Sequence, residues 1–176
     1  MRRIVRNLVI MSALAVVLAG CGASGFSIKY SFSGTSIKPD VKTIAIEQVV
    51  NNAMKVNPTL ANSMSEALKD KFKKLTSLEQ VDMDGDLSLI VTIESYEVRA
   101  QGLSANETVA QNRLTVTCKA TFENVKHPEE SCENKSFAAY QDYDAERSLD
   151  EVEAQLCDDI IETLVEDIFN AAVAQW

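Results

Sequence analysis

The chain has little of the material from which catalytic and metal sites are built. Of 176 residues, one is histidine (His127), one is tryptophan, six are glycine and three are proline. A single imidazole without a neighbouring cysteine pair supplies neither a zinc site nor a histidine-based catalytic triad, so no metal is expected. The scarcity of glycine and proline leaves no linker, repeat or low-complexity tract. Gly20-Cys21-Gly22-Ala23-Ser24-Gly25 spells a dinucleotide-binding fingerprint, but no helix follows it and a processing site runs through it. Asp82-Met83-Asp84-Gly85-Asp86 spells half a calcium loop. With Gly85 at its sixth position, the first position is Gln80 and the twelfth is Val91 where a glutamate is needed, so a hairpin turn is the better reading.

Positive charge is also short. Seventeen Lys and Arg stand against twenty-six Asp and Glu, a formal charge of −9. Residues 1–20 hold Arg2, Arg3 and Arg6 and no acid, so the rest of the chain stands at −12. A chain this acidic repels phosphate backbones, which argues against nucleic acid as a partner. The acid is unevenly spread. Ser27 to Leu75 carries eight lysines and four acids, whereas Asp142 to Asp167 carries eleven acids and one base, Arg147. No nucleophile–base pair stands out, and the cysteines lack the basic or Gly-rich surroundings of a reactive thiol, so an enzyme is not expected.

The longest apolar run is Leu8 to Leu18, broken only by Ser12 and too short for an ordinary membrane span. It follows three arginines and ends in Leu18-Ala19-Gly20-Cys21, the pattern of a bacterial lipoprotein signal. Cleavage before Cys21 would leave that residue as a diacylated, N-acylated terminus, and no other cofactor is expected. Gly22 after the cysteine, in place of aspartate, points to the outer membrane of a Gram-negative cell, with the domain facing an oxidising periplasm. The expected organisation is a signal peptide over 1–20, a lipidated tether over 21–25, and one domain over 26–176, a length that supports a full core. Of the remaining cysteines, Cys118 and Cys132 are the nearest candidates for a disulfide, with Cys157 left over.

Hydrophobic periodicity supplies the elements. Phe26 to Phe32 alternates like a strand, and Val41 to Val50 is β-branched with apolar residues on both faces, as a central strand would be. Asn57-Pro58 opens a helix whose stripe is Leu60, Met64, Ala67, Leu68, Phe72 and Leu75. A short strand is expected at Leu78 to Val81. Then come three longer ones: Leu87 to Val98, with Leu87, Leu89, Val91, Ile93 and Ser95 on one face; Asn112 to Glu123, with Leu114, Val116, Cys118, Ala120 and Phe122; and Ser131 to Tyr140. Ser148-Leu149-Asp150-Glu151 is a capping box that opens a long helix reaching toward Trp176. The pattern predicts an α+β fold, a two-layer sandwich with two amphipathic helices packed on one face of a roughly four-stranded sheet.

Taken in order, these segments resemble a known family. Ser33-Gly34-Thr35-Ser36-Ile37 with Pro39-Asp40-Val41-Lys42-Thr43-Ile44 is similar to its opening strand region. Asn57-Pro58-Thr59-Leu60 leading to Glu66-Ala67-Leu68-Lys69-Asp70-Lys71-Phe72 is similar to its first helix. Asp84-Gly85-Asp86-Leu87, Asn106-Glu107-Thr108 and Asn112-Arg113-Leu114-Thr115-Val116 are similar to its central meander. Val165-Glu166-Asp167-Ile168-Phe169-Asn170, closing at Trp176, is similar to its end. The family is LptE, the lipopolysaccharide-assembly lipoprotein, in its Bacteroidetes form. The resemblance implies a plug and assembly partner for the large outer-membrane β-barrel LptD, with two helices on a four-stranded sheet. It also implies a role in placing lipopolysaccharide in the outer leaflet. Contact with anionic lipid A phosphates would fall to Lys42, Lys69, Lys71, Lys73 and Lys74, with Arg99, Arg113 and Lys119 on the meander; the plainer reading of these residues is solubilising charge. The alternative role is an auxiliary periplasm-facing lipoprotein of an ABC-type lipid transport system.

Overall fold

The computed structural model describes residues 37–55, 57–101 and 110–173. Every described residue lies in one compact unit within Ser33–Trp176. The signal sequence, Cys21 and its tether, the strand expected at Phe26 to Phe32, and Trp176 lie outside the described residues. Among the described residues no helix is long and apolar enough to cross a membrane.

The elements run β1 (Thr43–Ile46), β2 (Val50–Asn51), α1 (Leu60–Leu75), β3 (Glu79–Val81), β4 (Leu87–Gln101), β5 (Gln111–Asn124), a 3-10 turn (Pro128–Glu130), β6 (Cys132–Asp144) and α2 (Leu149–Val173). One mixed sheet orders its strands β3-β1-β4-β5-β6, with β2 also paired to β4. β1 is parallel to both neighbours, whereas β4, β5 and β6 form the expected antiparallel meander. Six strands replace the expected four. The run from Val41 to Val50 breaks in two because the Val49 N–H goes to the Ser65 hydroxyl (2.9 Å) in place of a strand. Leu78 to Val81 supplies the edge strand β3.

One face of the sheet is buried. Leu87, Leu89, Val91 and Ile93 of β4 and Leu114, Val116, Cys118, Ala120 and Phe122 of β5 join the helices in a single core. Between Ile93 and Ser95 the register of β4 against β5 shifts. An extra residue reverses the in–out alternation beyond it. Tyr96 therefore takes the inward place expected for Ser95, and its hydroxyl donates to Glu153 of α2.

The stripe of α1 is buried at Leu60, Met64, Leu68 and Phe72, but Leu75 at its end is exposed. The helix starts two residues later than Pro58. Asn57 still caps it, its Oδ1 accepting the N–H groups of Thr59 (3.0 Å) and Leu60 (3.2 Å). Ser65 is the polar member of the buried stripe, and its hydroxyl donates back to the Ala61 carbonyl (2.8 Å). Asn57 meets Cys157 at one end of the helix pair and Phe72 meets Phe169 at the other, so α1 and α2 run side by side in the same direction.

Asp84-Gly85 is not a hairpin turn. β3 and β4 lie on opposite sides of β1, so residues 82–86 carry the chain across β1. Asp84 takes the left-handed conformation (φ 54°) that the turn requires. Asp86 then locks the crossing. Its carboxylate accepts the N–H groups of Lys42 (2.7 Å) and Thr43 (3.2 Å) and pairs with Lys126 (2.9 Å). The Lys42 N–H first, then Lys126 and the Thr43 N–H, hold the Asp86 carboxyl down at about 2. A carboxyl depressed by folding stabilises above its unfolded value near 4, and that contribution disappears as pH falls through about 2. Asp86→Asn is therefore expected to be less stable than the natural protein at neutral pH. The gap should narrow between pH 4 and pH 2, as read from urea midpoints across that range.

Candidate functional site

The eight basic residues expected to meet an anionic ligand do not converge. Lys69, Lys71, Lys73 and Lys74 lie on α1, on the helix side of the molecule, and Lys42 precedes β1. Arg113 and Lys119 alternate along β5 with the buried Leu114, Val116 and Cys118, so they project from the opposite face of the sheet. Arg99 sits opposite Arg113 in the ladder.

Most of these charges already hold an acid. Arg113 grips Asp142 through two hydrogen bonds (2.7 and 2.8 Å) and lies 3.7 Å over the Tyr140 ring. The paired guanidinium holds the Asp142 carboxyl below the usual carboxylate range. Arg99 pairs with Glu97 (2.6 Å) and Lys119 with Glu94 (3.4 Å). On the helix side Lys71 pairs with Glu166 of α2, and Lys74 with Asp70 (3.4 Å). Lys42, Lys69 and Lys73 make no ion pair among the described residues. Lys71 and Lys74 edge a cleft of about 390 Å³ between the helices, with Ala67, Ile161 and Val165 among its apolar lining.

Among the described residues the cysteines do not pair. Strand register sets Cys118 opposite Phe137 and Cys132 opposite Phe122. Cys132 therefore lies about 14 Å along the ladder from Cys118, beyond the roughly 7 Å that a disulfide spans. All three thiols are free: Cys118 and Cys157 are buried, Cys132 half-buried. Burial pushes the Cys118 thiol up to about 12, which makes it a core residue and not a nucleophile.

A polar cluster that the sequence did not advertise sits at the β5–β6 turn. Lys38 and Asp40, ahead of β1, reach His127, Glu129 and Glu130. The Lys38 ammonium contacts Glu130 Oε1 (2.6 Å), His127 Nδ1 (3.1 Å) and Glu129 Oε1 (3.4 Å). The hydrogen bond to Glu130, then the charges of Glu130 and Glu129, raise the Lys38 ammonium above its ordinary value. His127 Nε2 meets Asp40 Oδ2 (2.9 Å). Glu130 is nearly buried, and its second oxygen accepts from Asn124 Nδ2 (2.7 Å). Nearly ninety residues separate the two halves, so only a carboxylate-rich turn beside a lone histidine was visible in the sequence.

Comparison with known proteins places this geometry in a family. A family model, LptE, described as lipopolysaccharide-assembly, matches residues 41–172. No curated protein matches the chain. Among solved structures, the hypothetical protein CT253 from Chlamydia trachomatis aligns at a TM-score of 0.50 and 7% identity, over 77% of this chain and 99% of that one. A putative neuraminyllactose-binding hemagglutinin homolog from Helicobacter pylori aligns at 0.50 and 9%, over 73% and 84%. A minor lipoprotein from Acinetobacter baumannii aligns at 0.46 and 15%, over 73% and 89%. At such identities the first two show a shared fold alone. The family match begins two residues before β1 and ends one residue short of the last of α2, taking in every strand of the sheet and both helices, and the chain belongs to the LptE lipopolysaccharide-assembly family.

Proposed function

We propose that this protein is an outer-membrane lipoprotein, acylated at Cys21, that acts without catalysis as plug and assembly partner of an LptD-type β-barrel in delivering lipopolysaccharide to the outer leaflet. The family match over residues 41–172 carries this reading. The surface chemistry agrees with it. A plug must face the polar lumen of a barrel without an apolar interface. The helix-free face of the sheet presents Thr115, Thr117, Lys119 and Thr121 from β5, with Arg113 matched to Asp142 and Lys119 to Glu94. Of the eight basic residues expected to meet an anionic ligand, Lys42, Lys69 and Lys73 make no ion pair among the described residues and can meet an anionic headgroup without breaking one.

Tagged protein extracted from native membranes in mild detergent is expected to bring down a large outer-membrane barrel in near-equimolar amount, identified by mass spectrometry. Recovery of inner-membrane ABC transporter subunits, or of no stable partner, would remove the plug reading and put the transporter-auxiliary role in its place.

A further inference from the structure

The cluster at the β5–β6 turn has the organisation of a metal site with an ammonium in it. His127 Nδ1, one oxygen of Glu129 and one of Glu130 lie within 4.8 Å of one another. The Lys38 nitrogen stands 2.6–3.4 Å from all three. Three lone pairs therefore converge on a point that already holds a cation.

The surroundings are arranged as around a metal. An ammonium only donates, so His127 Nδ1 must accept from it. The ring proton then sits on Nε2 and is given to Asp40. A ligating histidine whose other N–H is held by a carboxylate is the usual outer-shell pattern of zinc sites. Glu130 is oriented in the same way, its second oxygen held by Asn124. All three ligating residues come from one four-residue turn, His127 to Glu130, while the ammonium comes from Lys38, 89 residues away. Removing Lys38 from the point leaves the ligand set in place.

We propose that His127, Glu129 and Glu130 form a binding site for a divalent transition metal, in which Lys38 is the internal competitor. The lack of a cysteine pair beside His127 spoke against zinc in the sequence; in the fold one imidazole and two carboxylates come together, a set that suits Zn²⁺ with solvent completing four-coordination. Zinc ligands stand at about 2.0–2.2 Å, so the three side chains must draw in on the metal. Glu129, the most exposed of them, has room to do so. Lys38 is 41% exposed at its side chain, so its ammonium has a path to water. Asp40 keeps its bond to His127 throughout. This site is independent of the barrel partnership.

The test uses full-length protein purified in detergent, with Zn²⁺ titrated against a chromophoric chelator. Lys38→Met is expected to bind one Zn²⁺ per chain at least about tenfold more tightly than the natural protein, because the competing charged hydrogen bonds are gone. Lys38→Met/His127→Gln is expected to lose that gain. Zn²⁺ should also raise the Tm of Lys38→Met, which shows that this variant is folded and that the metal binds its native state. Co²⁺ in place of Zn²⁺ should show no thiolate charge-transfer band, which separates the site from the half-buried Cys132. Equal affinity in the natural protein and Lys38→Met, binding untouched by His127→Gln, or a thiolate band would overturn the proposal.

Discussion

Gly85→Ala is expected to lower the stability of the domain by about 3 kcal/mol, at the upper end of the usual range for overpacked sites. The reason is position and not backbone angle, since no described glycine has a positive φ. Residues 82–86 lie across β1, and a Cβ on Gly85 would stand 2.6 Å from the Ala45 nitrogen, 2.6 Å from the Leu87 carbonyl oxygen and 3.0 Å from the Ile44 carbonyl carbon. All three are backbone atoms, so no flexible side chain is available to move aside. They also belong to β1 and β4, paired strands in the middle of the sheet, so relief means separating the crossing from the strand beneath it. That separation would strain the bonds of Asp86 to the Lys42 and Thr43 N–H groups. A urea midpoint within error of the natural protein would mean that the chain does not cross β1 as closely as described.

Phe72→Ala should cost about 4 kcal/mol, the scale of emptying a fully buried aromatic site. Phe72 has no exposed surface and sits in the core, where its ring meets that of Phe169 edge to face, with centroids 5.0 Å apart. This contact and the Asn57–Cys157 contact mark the two ends of the seam between α1 and α2, and the Lys71–Glu166 pair lies beside the ring contact. Phe169→Ala should be costly for the same reason. The double variant separates the pair from the cavities, because two rings in contact are expected to couple by about 1 kcal/mol beyond their burial. Strictly additive losses in chemical denaturation would mean that each ring packs against the sheet and not against the other.

Much of this architecture was legible in the chain itself. The face of β5 from Leu114 to Phe122 and the long helix opened after Ser148 were readable because burial repeats at intervals of two or three to four residues. The stripe of α1 was readable for the same reason until Leu75, which the periodicity admits but which stands exposed at the end of the helix. Where alternation broke, the reading broke with it. Ser95 continues the apolar face on paper. One extra residue in β4 turns Tyr96 inward, and the sequence carries no mark of where β5 slips against it.

The candidate site divides along the same line. Composition showed lysines concentrated in the first half of the chain, but not that Arg113 and Lys119 would stand on the far side of the sheet, already matched to Asp142 and Glu94. Nearness in sequence made Cys118 and Cys132 a plausible pair. Strand register put Phe137 and Phe122 opposite them. His127 stood alone in the sequence and is met by Lys38 and Asp40 in the fold.

The sequence by itself determined the class of fold, the membership of the elements and the inward faces of most of them. Those depend on side-chain periodicity, which is a local property of the backbone. Tertiary structure alone decided the crossing of residues 82–86 over β1, the phase of β4 beyond Ile93 and the convergence of Lys38 on the 127–130 turn. Each of these depends on which distant segments share a ladder or a corner. That is settled by the packing of the whole core, which no short window of residues contains.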